Sequence, residues 1–288
     1  MSIGVPLTSL VHIQIGDDEV SFPVEGETFW GQDRVLIHDD DNLLATTAWN
    51  DDGYTVQPFL EAADFGDLRE GIDQLIRRKL SLVGVGMPDS VPMTAYHRVL
   101  AEYPGAHESL MDLFRDGFPV EEFPVDPTLL ESRVSELCGF PLSLRVPSLG
   151  YSVFCVRIAR PGCRDWNPPH RDAWLDTLRN GLNLYVPIAG STDRSALGLI
   201  PGSHFWRESD IERTREGARI YGRAFGVPSV INAARPLKMR RPNPGLNEAM
   251  LFSPYLVHGM GANFNEDETR VSLELRVWRK IDSKDMTV

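Results

Sequence analysis

Two textures of apolar spacing divide the chain near residue 140. Before it, Leu68, Ile72, Leu75, Ile76 and Leu80 recur at helical spacing and predict a helix over 60–82. Asp89 or Ser90 is placed to cap another, running to about Tyr103, and a short one is expected over 106–114. Asp126-Pro127 opens a last helix, closed by Gly139 after Cys138. Ahead of these, 10–15 and 20–24 read as strands around the turn Gly16-Asp17-Asp18, and Asp39-Asp40-Asp41 and Asn50-Asp51-Asp52-Gly53 are turn signals. After residue 140 the runs 142–146, 151–160, 182–188, 197–201, 249–252 and 271–278 are short and alternating, with Gly, Pro, Asn and Asp between them. That is the pattern of a sandwich or barrel, so a mainly β fold with helices (α+β) is expected. Residues 207–241 are Arg-rich and weakly patterned, and read as a long insertion between strands.

Charge follows the same division. The net charge is −12, with 26 Asp/Glu against 9 Lys/Arg in residues 1–150 and 15 against 20 in residues 151–288. The acidic balance disfavours nucleic acid as a partner, because phosphate contacts need a basic surface. The basic second half suits anions such as carboxylates or phosphates. No stretch is apolar for long enough to cross a membrane. The opening Met1-Ser2-Ile3-Gly4-Val5-Pro6 has neither a basic nor an apolar leader segment, and Cys138, Cys155 and Cys163 form no C-x-x-C pair. A soluble cytoplasmic protein is therefore expected; oligomeric state is not encoded in any recognisable pattern.

His12, His38, His97 and His107 have no metal-like spacing and read as ordinary surface or core histidines. His170-Arg171-Asp172 differs. Side chains two apart on an extended chain point the same way, so His170 and Asp172 can present a nitrogen and an oxygen to one metal. His258, in Tyr255-Leu256-Val257-His258-Gly259-Met260-Gly261, offers a second imidazole from another turn. Two imidazoles and one carboxylate leave open positions, as in non-haem Fe(II) oxygenases. H-x-D alone is a common accident; a third feature changes the balance. From Thr269 to Trp278 the chain alternates, putting Arg270 and Ser272 on one face and Val271, Leu273 and Leu275 on the other. A guanidinium 12 residues beyond His258 can grip a carboxylate through two parallel bonds. Arg276 reads as an ordinary strand charge. His204, in Ile200-Pro201-Gly202-Ser203-His204, has no paired carboxylate and is taken as structural or substrate-facing.

In this order, His170-x-Asp172, Ile200-Pro201-Gly202-Ser203-His204, His258 and Arg270-x-Ser272 resemble the phytanoyl-CoA dioxygenase-like branch of Fe(II)/2-oxoglutarate oxygenases over roughly residues 142–280. The resemblance implies a double-stranded β-helix, a jelly-roll relative of the cupins. It also implies His170, Asp172 and His258 as iron ligands, Arg270 and Ser272 on the far carboxylate of 2-oxoglutarate, and Asn183 and Arg157 as further co-substrate positions. The co-substrates would be 2-oxoglutarate and O₂. The expected organisation is one oxygenase domain over 1–288, with 1–140 as support and 141–280 as the core carrying the metal.

Trp166, Asn167, Arg171, Trp174 and His204 flank the expected iron site, and their mixture of polar, aromatic and cationic groups suits a small polar metabolite such as a sugar, an amino acid or a natural-product intermediate. Arg213, Arg215, Arg219 and Arg223 read either as a solvated helix face or as a lid. Two other readings stay open: a cupin-type metalloenzyme without 2-oxoglutarate, which would not need Arg270, and a non-catalytic metabolite-binding β-sandwich, which would not need the triad. A kinase reading of His170-Arg171-Asp172 fails, because Asp64-Phe65-Gly66 precedes it and Thr177 stands where the catalytic loop needs Asn.

Overall fold

The computed structural model describes residues 8–38, 42–115 and 117–280; the turn signal at Asp39-Asp40-Asp41 lies outside them. Strands β1 (Thr8–Ile15), β2 (Asp18–Glu25), β3 (Thr28–Trp30) and β4 (Tyr54–Pro58) come first. Helices α1 (Ala62–Leu82), α2 (Tyr96–Leu100), α3 (Ala106–Phe114) and α4 (Pro127–Cys138) follow. The rest is mostly strand: β5 (Leu142–Ser143), β6 (Cys155–Ala159), β7 (Gly181–Ala189), β8 (Gly198–Leu199), β9 (Ile211–Thr214), β10 (Ala218–Ile220), β11 (Arg223–Phe225), β12 (Val230–Ala233), β13 (Lys238–Met239), β14 (Glu248–Phe252), β15 (His258–Gly259) and β16 (Arg270–Arg279).

The main sheet runs β4-β14-β7-β16, with β5 and β6 both pairing with β16. Its two faces have different tasks. On the outer face, Leu182, Leu184, Val186 and Ile188 of β7 and Val271, Leu273, Leu275 and Val277 of β16 pack against α1, α3 and α4 in one core. α1 contributes Phe65, Leu68, Ile72, Leu75, Ile76 and Leu80, as its spacing predicts. On the inner face, Tyr185, Met250 and Phe252 meet Leu197, Leu199 and Leu256 from the opposing β8–β15 layer. Beside that layer lie the sheets β11-β10-β2-β1-β13 and β12-β9-β3, with their own core around Val11, Phe22, Trp166, Ile211 and Val257. The result is a jelly-roll core with helices stacked outside one sheet.

The helix ends follow their local chemistry. The Asp126 side chain accepts from the Thr128 amide at 3.0 Å, Pro127 fills the first helical position, and Gly139 closes α4 in the left-handed region at φ 78°. The helix expected from Asp89 or Ser90 begins later. Pro88 and Pro92 favour extended backbone before them, so a 3₁₀ turn at Met93–Ala95 leads into α2. The strand expected over 142–146 is reduced to β5, because the Glu131 carboxylate captures the Ser143 hydroxyl and the Leu144 amide, both at 2.8 Å.

Residues 207–241 are not an unstructured insertion. They form β9 to β13, of which β9 pairs with β3, β10 with β2 and β13 with β1. In β10, Ala218 and Ile220 are buried and Arg219 is exposed, so the alternation exists with arginine at outward positions. Arg213, Arg215, Arg219 and Arg223 therefore share no helix face. Nor is residue 140 a boundary: β1, β2 and β3 complete sheets with strands from 211–239, and β4 extends the main sheet through β14.

Candidate metal centre

The sequence-distant histidines meet through backbone pairing. His170 and His258 form an antiparallel bridge, each donating its amide to the other's carbonyl at 2.9 Å, and their rings lie 4.4 Å apart. Gly259 makes this approach possible: at φ 134°, a Cβ there would stand 2.4 Å from the Pro168 carbonyl oxygen. Arg171 is extended, so His170 and Asp172 fall on the same side and Arg171 on the other. Asp172 then starts a 3₁₀ turn, Asp172–Trp174.

Each ring has one nitrogen committed. His170 Nδ1 lies 2.7 Å from the Pro168 carbonyl oxygen and His258 Nδ1 lies 2.9 Å from that of Leu256. A carbonyl only accepts, so both Nδ1 atoms carry the proton and both Nε2 atoms are left bare. Those Nε2 atoms face Asp172 Oδ1 at 3.4 and 3.8 Å. Asp172 is 1% exposed, yet Oδ1 has no hydrogen-bond partner among the described residues. Its other oxygen, Oδ2, accepts from Arg276 Nε (3.0 Å), Arg276 Nη2 (2.8 Å) and Asn183 Nδ2 (3.0 Å). Burial works to raise the Asp172 carboxyl, but the Arg276 guanidinium outweighs it and holds it well below the usual carboxylate range. Burial, then the neighbouring His170, lowers His258 to about 4, so its ring is neutral. Two imidazole nitrogens and one carboxylate oxygen thus converge, all within 4.8 Å of one another. This donor set fits Fe(II) and leaves positions open.

Arg270 stands in the same cavity. It is 3% exposed and pairs with no carboxylate among the described residues. Nη1 donates to Ser272 Oγ at 2.6 Å and Nη2 to the Gly261 carbonyl at 2.9 Å, while Nε is buried without a partner. Gly261 leaves room for it, since a Cβ there would lie 2.6 Å from Nη2. A buried guanidinium holding two neutral acceptors is set for an anion.

The other expected site residues divide. Trp166, Asn167 and Arg157 line the cavity; Arg157 donates to Glu274 at 3.3 Å. Asn183 is buried against Asp172 rather than exposed to the cavity. Arg171, Trp174 and His204, expected to flank the iron site, do not line this cavity. Arg171 is fully buried, paired with Glu208 and donating to the Ser203 and Trp206 carbonyls. Trp174 Nε1 donates to the same Glu208 at 3.0 Å. His204 is buried over Gly53, with Nε2 donating to the Asn50 carbonyl at 2.8 Å. The Ile200-Pro201-Gly202-Ser203-His204 run is a clasp for the strand bearing His258: Val257 donates to Ser203 Oγ at 2.8 Å and Ile200 donates to the Val257 carbonyl at 2.9 Å. Of the four arginines read as a helix face or lid, Arg223 alone lines the cavity.

The sequence reading missed Arg276, Glu274 and His107. Arg276 and Glu274 lie on the same face of β16 as Arg270 and Ser272, a signal present in the alternation. His107 gives no such signal; it enters the cavity wall from α3, tied to Tyr96 at 3.0 Å and Asp165 at 3.3 Å.

No protein-family model and no curated protein matches the chain. Solved structures do. EctD from S. alaskensis in its apoform shares 15% identity, with 88% of this chain and 84% of that chain covered and a TM-score of 0.45. EvdO2 from Micromonospora carbonacea var. aurantiaca, complexed with 2-oxoglutarate, shares 15% over 87% and 93%, with a TM-score of 0.46. The epimerase SnoN, in complex with Fe3+, alpha ketoglutarate and nogalamycin RO, shares 17% over 80% of each, with a TM-score of 0.43. At these values the likeness reaches no further than the course of the chain.

Proposed function

We propose that the chain is a non-haem Fe(II)/2-oxoglutarate-dependent oxygenase that oxidises a C–H bond of a small polar metabolite. The observation that carries this is the convergence of metal-type donor atoms beside a cavity that also contains a buried guanidinium. His170 and His258, whose Nε2 atoms converge with Oδ1 of Asp172, line the same cavity as the buried Arg270, which pairs with no carboxylate among the described residues. His170, Asp172 and His258 would hold the iron, and Arg270 with Ser272 the far carboxylate of 2-oxoglutarate. When bound, iron with 2-oxoglutarate and O₂ supplies the oxidising power, and succinate and CO₂ are released.

The chain's own residues supply orientation. The two Nδ1–H bonds fix each imidazole's tautomer and ring plane. Trp166, Asn167, the Arg157–Glu274 pair and Arg223 line the remaining wall and suit a polar substrate. A cupin-type enzyme without 2-oxoglutarate would leave Arg270 a buried cation with no purpose, so that reading is second. The motif order favours the phytanoyl-CoA dioxygenase-like branch. Three free cysteines accord with a reducing cytoplasm, and among the described residues no helix is long and apolar enough to cross a membrane.

The test is anaerobic reconstitution with Fe(II), followed by a metabolite panel scored for succinate release in air. One iron per chain and succinate formation dependent on 2-oxoglutarate are expected. Iron binding without any effect of 2-oxoglutarate would turn the assignment to the cupin-type reading.

A further inference from the structure

Arg276 and Asn183 are direct cross-strand partners in the β16–β7 ladder. Their side chains leave the sheet on the inner face and meet on one atom, Asp172 Oδ2, which accepts three hydrogen bonds of 2.8 to 3.0 Å. Oδ1 of the same carboxylate accepts none and faces both bare imidazole nitrogens. A free carboxylate has no reason to divide its oxygens in this way. The Arg276 fork, whose Nε and Nη2 both point at Oδ2, fixes the torsion of the Asp172 side chain. Asn183 prevents the oxygens from exchanging places.

We infer that Arg276, assisted by Asn183, is the positioning residue of the metal centre, holding Asp172 as a one-oxygen ligand. This rests on the metal-centre reading above. With Oδ2 saturated, Asp172 offers the metal Oδ1 alone. A second carboxylate oxygen does not take a position that the co-substrate or O₂ would need. Arg276 thus differs from Arg270, six residues away on the same face of β16, which holds no carboxylate among the described residues.

The opposing physical effect is repulsion: a guanidinium beside a divalent ion weakens metal binding unless its positioning role dominates. The two effects predict opposite signs. The probe is Mn(II), with the free ion followed by electron paramagnetic resonance in the full chain and thermal melting of the metal-free protein as the control for folding. Arg276→Leu should bind Mn(II) about 10- to 100-fold more weakly, the usual loss on removing an outer partner of a metal ligand. Arg276→Lys keeps the charge without the fork and should recover only part of that affinity. Asn183→Leu should weaken binding by less than Arg276→Leu. A folded Arg276→Leu protein that binds Mn(II) as tightly as wild type, or more tightly, would overturn the inference. So would full rescue by Arg276→Lys, since charge alone would then suffice. Failure of the wild type to bind Mn(II) would instead overturn the metal-centre reading itself.

Discussion

Replacing Arg270 by leucine tests the co-substrate half of the site, and the structure sets the expected size. A guanidinium has five N–H donors. Two are used, on Ser272 Oγ and the Gly261 carbonyl, and both acceptors are neutral. The remaining donors can give a carboxylate a pair of charge-assisted bonds, each contributing about 1.5 kcal/mol at the low end. Losing both costs about 3 kcal/mol, or roughly 100-fold in affinity, and tenfold is the least the geometry allows. The assay is anaerobic titration of 2-oxoglutarate into the Fe(II) protein, following the metal-to-ligand absorption band. Arg270→Leu should shift the midpoint by that factor while iron remains bound. A second readout separates binding from folding. In the empty protein Arg270 is a buried cation without a counter-charge, so its loss should change the melting temperature little. The stabilisation that 2-oxoglutarate gives the wild type should disappear. Unchanged 2-oxoglutarate affinity in a folded Arg270→Leu protein would refute the assignment of Arg270.

Three further outcomes follow from residues outside the cavity or at its edge. Arg171→Ala breaks a buried pair with Glu208 and should destabilise by about 3–5 kcal/mol, visible as a lowered melting temperature, while the folded protein still binds metal. An unchanged melting temperature with loss of metal would mean that Arg171 belongs to the site. His204 is lowered to about 4 by burial against an ordinary 6.5, so between those values the unfolded chain binds a proton that the folded chain does not. Its contribution is complete above about pH 6.5 and is lost as pH falls towards 4, by up to about 3 kcal/mol. Chemical denaturation at pH 7 and 5 should show a shallower fall in His204→Asn than in wild type. Gly259→Ala places a Cβ on the Pro168 carbonyl oxygen and should push apart the strands bearing His170 and His258. At least about tenfold weaker Mn(II) binding is expected, with roughly 1–3 kcal/mol of overpacking strain in the melt.

Helices with clear ends were legible in the sequence because their signals are local. α4 begins at an Asp-Pro cap and ends at a glycine, and its bounds agree with that reading. Strands β6, β7, β14 and β16 of the main sheet were legible from short apolar runs, as in the alternation of β16, whereas β4 was not, because its residues show no buried face. The partners of β1, β2 and β3 were not, because their sheets are completed by residues 211–239, about 200 positions away, and nothing in either segment encodes the pairing. In β10, arginine at the outward position gave the segment the composition of a loop while Ala218 and Ile220 kept strand spacing at buried positions.

The site shows where a rule was applied too narrowly. Two-residue alternation placed His170 and Asp172 together, and the same rule puts Arg171 on the opposite side, where the structure has it buried against Glu208. Alternation likewise paired Arg270 with Ser272, and continued along β16 it brings Glu274 and Arg276 to the same cavity. Both placements follow from the alternation alone. What was not available is the closure: that Arg276 faces Asn183 across the β16–β7 ladder, and that the chain before β7 returns Asp172 to that rung. A strand pattern gives the face on which a side chain stands; the ladder register gives its neighbour. The metal ligands could be named from the first, whereas the residues that hold the ligands in place depend on the second.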